Sequence, residues 1–253
     1  MRKAQFFYLL RRGLLSGGLN FIKEGLVMFN KFTTAGISHP AQGSAEFNGS
    51  SDYIQTNEPL IKGAHTICVW VNSDNDADYR QIVDSRDAGS DGTYFLINPS
   101  EQIMHRVYGY TLTSSAITAE EWHFVTATFD GTTQKIYLNG SLDAIQSASA
   151  TYDVETPTTI GRRSYGSSEY FGGNLANVAI WNRALSSDEI NSVMWKSYEA
   201  LTSAESNGLQ AWYSLDDITS PAASLANMEQ LATDKNATIE NKAAITAAIN
   251  ALS

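Results

Sequence analysis

From Gly43 onward, short apolar runs alternate with turn-forming pairs, and the runs carry a two-residue period. Ala45 to Asn48 and Tyr53 to Thr56 flank Gly49-Ser50-Ser51-Asp52 and predict a hairpin, with strands to follow at Thr66 to Val71, Gln81 to Asp84 and Thr93 to Ile97. In Thr66 to Val71 both faces are apolar, Ile67, Val69 and Val71 on one and Cys68 and Trp70 on the other, as in a central strand covered on both sides. Arg106 to Leu112 reads as one strand with Tyr108 and Tyr110 pointing the same way. Trp122 to Phe129 and Lys135 to Leu138 form a hairpin across Asp130-Gly131-Thr132-Thr133, and Asn139-Gly140 turns the chain into Ser141 to Ile145. Asp-Gly and Asn-Gly accept the positive φ angles that tight hairpins need. After Ala176 to Trp181, Ser186 and Glu189 stand at the spacing of a capping box, and Ile190, Val193, Met194 and Tyr198 continue at helical spacing. Gly208 to Leu215 returns to β. The expected fold is all-β, a two-sheet antiparallel sandwich with short helical extensions at both ends.

The extensions have a different pattern. Leu15, Leu19, Ile22, Leu26 and Phe29 recur at helical spacing and form one apolar stripe. Gly17, Gly18 and Gly25 weaken such a helix by roughly 1 kcal/mol each, so it needs a surface to form on. Beyond Pro221 the chain is Ala-rich, with Ile239, Ile245, Ile249 and Leu252 as a thin stripe. The domain division is therefore a basic docking arm over 1–38, a sandwich over 39–218 and a helical tail over 219–253. The apolar run Phe6 to Leu10 is cut by Arg11 and Arg12, too early for a signal-peptide core of roughly 7 to 15 residues.

Charge reinforces this division. Arg2, Lys3, Arg11, Arg12, Lys23 and Lys31 against Glu24 give the arm +5, which leaves −15 of the −10 total for the rest. An acidic sandwich argues against nucleic acid, whose phosphates require clustered Lys and Arg. A basic helix with one apolar stripe suits a membrane surface, but ahead of a compact domain it is read here as a docking arm. Cys68 is the single cysteine and lies in an apolar run, as a small buried hydrophobe does.

The ordered set Phe47-Asn48-Gly49-Ser50, Ile67-Cys68-Val69-Trp70-Val71, Trp122-His123-Phe124-Val125, Tyr137-Leu138-Asn139-Gly140, Ile160-Gly161, Phe171-Gly172-Gly173 and Trp181-Asn182-Arg183-Ala184-Leu185-Ser186 resembles laminin G-like domains of the concanavalin A-like lectin and glucanase superfamily, particularly the pentraxin-related branch. The resemblance covers about residues 43 to 200. It implies a jelly roll whose concave sheet and loop rim bind glycans, often through calcium (Ca2+). Gly208 to Leu215 looks like the strand that opens many such domains, placed here after the helix and expected beside the first strand. The acidic stretch from Asp84 through Asp87 to Asp91 falls where the pentraxin branch places a calcium pair, which makes Asp87 and Asp91 the candidate metal ligands. The companion ligands of that branch follow Ile-Gly, where this chain has Arg162-Arg163-Ser164-Tyr165.

Catalysis finds no support in the residues. Glucanases of the superfamily place carboxylates as Glu-x-Asp-x-Glu along one strand, and that pattern is absent. Glu120 and Glu121 are adjacent in a turn, and Asp74-Asn75-Asp76-Ala77-Asp78 reads as a solvated acidic turn. His123 matches the structural Trp-His pair of the resemblance. Sugar binding needs an aromatic face for the apolar side of a pyranose and polar groups for its hydroxyls. Tyr108 and Tyr110 in one segment, and Arg162, Arg163, Tyr165 and Tyr170 in a Gly- and Ser-rich loop, supply both.

The function expected is that of a non-enzymatic phage virion protein, a capsid decoration, fibre or tail component displaying a lectin-like jelly roll outward in many copies or as a homo-oligomer. Its partners would be other virion proteins through residues 1–38 and 219–253, and cell-surface glycans. The alternative is a secreted or cell-surface bacterial carbohydrate-binding module, and a glycoside hydrolase ranks third.

Overall fold

The computed structural model describes residues 43–88, 92–150 and 156–215. All lie in the second of two compact units, His39–Ser253. The predicted arm stripe Leu15, Leu19, Ile22, Leu26 and Phe29 and the tail 219–253 fall outside the described residues.

Thirteen strands and one short helix are found among those residues. The strands are β1 (Ala45–Asn48), β2 (Ile54–Gln55), β3 (His65–Ser73), β4 (Arg80–Asp84), β5 (Thr93–Ile97), β6 (Gln102–Val107), β7 (Tyr110–Ala116), β8 (His123–Phe129), β9 (Thr133–Leu138), β10 (Ser141–Ser147), β11 (Thr159–Ile160), β12 (Gly172–Trp181) and β13 (Leu209–Tyr213). Helix α1 spans Ser187–Val193. One sheet has the order β1-β12-β3-β8-β9-β10, with β13 also on β12; the other runs β2-β11-β4-β5-β6-β7. All pairings are antiparallel, as the hairpin-punctuated pattern requires.

Inward-pointing alternate residues of both sheets make one core, including Ile67, Val69 and Val71 of β3 facing Val83, Phe95 and Ile103. Strand β3 is central, between β12 and β8, and all but Asn72 of it is buried. Its other face is covered too. Trp70 packs 5.4 Å, ring to ring, from both Phe124 and Trp195, and its indole N–H donates to the Met194 carbonyl at 3.0 Å. Helix α1 thus lies against the outer face of the seven-stranded sheet, anchored by Ile190 and Val193. Ser186 and Glu189 form the expected capping box.

Asp130 closes the β8–β9 hairpin by accepting from the Thr132 and Thr133 N–H groups at 2.9 and 2.8 Å, and Asn139 and Gly140 take φ values of 51° and 82° in the β9–β10 turn. Strand β13 pairs with β12 at Val178 to Trp181, while β1 pairs at Gly172 to Leu175, so the two share one edge end to end. The bulge at Asn177, φ 50°, separates them.

Three expectations are corrected. The segments flanking Gly49 to Asp52 do not form a hairpin: β1 joins β12 and β2 joins β11, so the turn carries the chain from one sheet to the other. The Asn48 side chain accepts from the N–H groups of Ser50, Ser51 and Asp52, which bends the backbone away from strand pairing. Arg106 to Leu112 is not one strand. It contains the two-residue turn Tyr108-Gly109, φ 44° and 96°, with Val107 paired to Tyr110. The α-helix stops at Val193, and Tyr198 opens a separate 3₁₀ turn over Tyr198–Ala200.

Two buried histidines link the sheets. His65 of β3 and His105 of β6 bring their Nε2 atoms to 3.0 Å, and His65 Nδ1 lies 2.7 Å from the Gly63 carbonyl. A carbonyl accepts, so His65 Nδ1–H donates to it, and His105 Nε2–H donates to the bare His65 Nε2. Both rings are neutral. Burial lowers His65 from 6.5 to about 4, and burial and then the neighbouring His65 hold His105 well below its ordinary value. The unfolded chain therefore binds protons that the folded chain refuses. Stability is full above about pH 6.5 and falls as pH drops toward 4, with His65 alone accounting for roughly 3 kcal/mol across that window. Urea midpoints should fall between pH 7 and 5 in the natural chain and stay flat in H65F/H105L; equal slopes in both would remove the histidines as the cause.

Candidate functional site

With one sheet covered by α1, the outer face of the six-stranded sheet is where chemistry-bearing side chains gather. Strand alternation builds it. Phe95 and Ile97 of β5 and Ile103 of β6 enter the core, so their neighbours Tyr94 and Arg106 point away. Register then aligns Gln55, Thr159, Asp84, Tyr94, Arg106 and Thr111 in one row across all six strands.

The centre of this row is a buried ion pair. Asp84 is fully buried. Arg86, two residues on, donates Nε to Asp84 Oδ2 at 2.8 Å, places Nη2 on the same oxygen, and donates its backbone N–H to Oδ1 at 2.7 Å. The Ser164 hydroxyl donates to Oδ1 at 2.7 Å. Burial pushes the Asp84 carboxyl above its ordinary value, and the Arg86 and Ser164 hydrogen bonds pull it back. Burial acts to lower the Arg86 guanidinium, but Asp84 and Glu169 together raise it. Arg86 Nη2 also reaches Glu169 at 3.1 Å and Gln81 at 3.2 Å.

Around this pair, guanidinium groups and tyrosine rings alternate. The Arg106 guanidinium carbon lies 6.0 Å from the Tyr94 ring centroid, and Arg86 lies 4.3 Å from the same ring. Arg86 is also 5.9 Å from the Tyr165 ring, on which Arg163 stacks at 4.2 Å. The ladder Arg106–Tyr94–Arg86–Tyr165–Arg163 combines three segments distant in sequence. Glu169 joins its rungs, accepting from Arg163 at 3.0 Å as well as from Arg86. The cations are not equally compensated. Arg86 and Arg163 have carboxylate partners, whereas Arg106 and Arg162 form no side-chain hydrogen bond or ion pair among the described residues. Arg162 lies 3.5 Å over Tyr53, at the β2 edge.

Two glycines let the supporting loops approach. Gly92, φ 133°, sits so close to Arg86 that a Cβ would meet the Ser85 carbonyl oxygen at 2.7 Å and the Arg86 Cα at 2.8 Å. Gly161, φ 87°, would drive a Cβ to 2.5 Å from the Phe47 ring, and its position just before Arg162 sets the departure of the 162–170 loop.

The predicted residues divide. Arg163 and Tyr165 are brought together in the ladder. Arg162 turns to Tyr53 instead, and Tyr170 is half-buried beside core residue Phe171. Tyr108 sits at a hairpin tip, its N–H donating to the Gly92 carbonyl at 3.0 Å. Tyr110 lies opposite Val107, whose side chain is inward, so Tyr110 occupies the end of the sandwich and not the ladder face. Asp87 is half-buried, and Asp91 falls outside the described residues. No group of three or more potential metal ligands is found among the described residues, and Asp84 is committed to Arg86 and Ser164. His123 ties the start of β8 to the loop before it, its Nε2 lying 3.0 Å from the Thr118 carbonyl. Sequence reasoning missed Arg86, Tyr94 and Arg106. Alternation in β5 and β6 could have found the last two, since Tyr94 and Arg106 take the side opposite the core residues Phe95, Ile97 and Ile103; nothing local marks Arg86.

A laminin G family model, described as the concanavalin A-like lectin/glucanases superfamily, matches residues 48–191. No curated protein matches the chain. Among solved structures, a carbohydrate-binding protein from Bacteroides ovatus, so described provisionally, aligns at 19% identity and a TM-score of 0.58, over 72% of this chain and 53% of that one. A CBM40 domain of a Ruminococcus gnavus IT-sialidase, solved bound to α2,3-sialyllactose, aligns at 17% identity and a TM-score of 0.52, over 60% of this chain and 97% of that one. The chain spans about half of the first structure's length, and the likeness in both cases is one of fold.

The unequal compensation predicts unequal variants. R86A leaves Asp84 buried without its counter-ion and should cost roughly 3–5 kcal/mol, whereas R106A, which breaks no hydrogen bond, should change the urea midpoint little. G92A should resemble R86A in direction. An R86A protein as stable as the natural one would dissolve the argument for a structural ion pair.

Proposed function

We propose that this chain, which belongs to the laminin G-like family of the concanavalin A-like lectin/glucanases superfamily, is a non-enzymatic carbohydrate-binding module whose binding surface is the outer face of its six-stranded sheet. The arginine–tyrosine ladder carries the reading. It offers rigid planar donors and aromatic rings on a sheet-built platform, the combination that orients a hydroxyl-rich ligand without chemistry. The carbohydrate-binding structures that share the fold support it.

The non-enzymatic part is supported by where the carboxylates stand. Glycoside hydrolysis by two carboxyl groups needs one to give a proton and another to attack or to activate water. Asp84 and Glu169, the carboxylates of the ladder, are both bonded to Arg86. Calcium held by Asp87 and Asp91 is part of the proposal.

The proposed setting is a multicopy surface assembly, a phage virion first and a bacterial cell surface second. What favours it is the charge division between a +5 arm and the acidic remainder, which suits a segment that attaches and a domain that is displayed. Many copies let weak contacts add.

A glycan array probed with the full chain should give binding that R163A and Y165A each reduce at least several-fold, with no reducing sugar released from the bound polysaccharide. An array blank at every glycan would remove the carbohydrate reading, and sugar release would replace it with a hydrolase. Deleting residues 1–38 should leave the sandwich's thermal transition in place and abolish incorporation into particles; particles that still take up the truncated chain would refute the docking arm.

A further inference from the structure

We infer that the glycan is acidic and that Arg106 receives its carboxylate; this rests on the carbohydrate-binding reading above and narrows it to a substrate class. The starting point is an imbalance of charge on one face. Four guanidinium groups, those of Arg86, Arg106, Arg162 and Arg163, lie along the ladder and its β2 edge, against two ladder carboxylates, those of Asp84 and Glu169. Both carboxylates are spent on Arg86 and Arg163. In a chain of net charge −10, where acids outnumber cations by 27 to 17, two half-buried arginines without a carboxylate partner among the described residues are unexpected on the same face.

Arg106 is the better placed of the two. It stands in the middle of the outward row, opposite Tyr94 on β5 and Thr111 on β7. Tyr94 lies 6.0 Å from the Arg106 guanidinium and 4.3 Å from that of Arg86, and the Arg86 charge is neutralised by Asp84. A partly desolvated guanidinium without a counter-ion is costly to hold, and a planar carboxylate answers it with two parallel hydrogen bonds. Neutral sugars would leave that cation unanswered. Arg162, over Tyr53 at the β2 edge, offers a second cation without a carboxylate partner among the described residues, on the far side of the sheet from β6. An oligosaccharide with more than one acidic unit could meet both.

The specificity comes from a single charge, so paired ligands differing only there provide the test. Calorimetric titrations of the full chain with 3′-sialyllactose against lactose, and with oligogalacturonate against its methyl ester, should show at least tenfold tighter binding of an acidic member over its neutral partner. R106Q should abolish that difference while keeping the natural thermal midpoint, since no hydrogen bond is lost. R106K retains the charge without the fork and should recover only part of the affinity. Raising salt from 50 to 500 mM should weaken the acidic ligand and leave the neutral one unchanged. Equal affinity for both members of each pair, or an R106Q chain that still prefers the acid, overturns the inference and leaves the carbohydrate module standing. A preference for sulfated heparin fragments over carboxylate-only sugars overturns the choice of carboxylate. Failure of every neutral and acidic glycan overturns both this inference and the function on which it rests.

Discussion

A buried carboxylate governs the six-stranded face. Asp84 has no exposed surface, and an isolated charge there would be prohibitive, so a cation has to follow it inward. Arg86 does so within two residues, using both its side chain and its backbone N–H. The rest of the ladder follows from that placement. With its guanidinium pinned to Asp84, Arg86 lies 4.3 Å from the Tyr94 ring, reaches Gln81 and Glu169, and ties the 162–170 loop to the sheet through Glu169 while Ser164 bonds Asp84. The loop brings Tyr165 and Arg163 with it. The ladder is thus a consequence of one desolvated charge being satisfied by the nearest available donor, and its stiffness comes from hydrogen bonds made within the protein.

The two sheets serve different ends because their outer faces differ in composition. On the seven-stranded sheet Trp70, Trp181 and Trp212 are almost wholly buried, and Trp70 and Trp181 need partners for their indole N–H groups as well as cover for their rings. The segment after β12 supplies both: the Met194 carbonyl caps Trp70, the Glu205 carbonyl caps Trp181 at 2.7 Å, and Trp195 closes over Trp70. Glu205 is itself held by Lys196, Ser192 and Thr202, which keep its carboxyl down at about 2 despite the cost of burial. The six-stranded sheet carries no tryptophan among the described residues, and its outward positions include Gln55, Thr159, Asp84, Tyr94 and Arg106 beside the apolar Leu96 and Met104. The seven-stranded sheet is covered by α1 and the segment after it, while the six-stranded sheet buries its centre under the 162–170 loop and keeps half-buried side chains such as Arg106 and Arg163 at the margin.

Much of the fold was readable from the chain because alternation and turn chemistry act locally. The Asp130-Gly131 and Asn139-Gly140 turns, the doubly covered β3 and the Ser186/Glu189 capping box all rest on interactions within a few residues, and each is present. Errors arose where a local pattern admitted two continuations. Asn48 to Asp52 is a tight turn, as read, but whether its flanks pair with each other or with separate sheets depends on β12 and β11, more than a hundred residues away. The Tyr108-Gly109 turn is hidden in the chain because tyrosine is an uncommon residue at positive φ, and the flanking residues continue to alternate as if no turn intervened. The site was less legible than the fold. Arg163 and Tyr165 could be named from a polar loop, but their partner Arg86 acquires its role from a hydrogen bond to Glu169, 83 positions distant. No spacing rule connects them.

The sign of the whole chain and the sign of the ladder act over different distances, which bears on what such a face can recognise. At physiological salt a charge is screened beyond about 8 Å, so the acidic surroundings repel an approaching anion weakly while the arginines act only on one already seated. Binding of an anion here gains little from long-range steering. It depends instead on the fit between a fixed guanidinium, a flanking ring and the ligand's own geometry, and a poorly matched anion receives the repulsion without the compensation. An acidic domain carrying a few uncompensated arginines therefore discriminates more sharply than a uniformly basic surface, at the expense of affinity per contact. Display in many copies offsets that expense, because repeated weak contacts multiply while each remains selective.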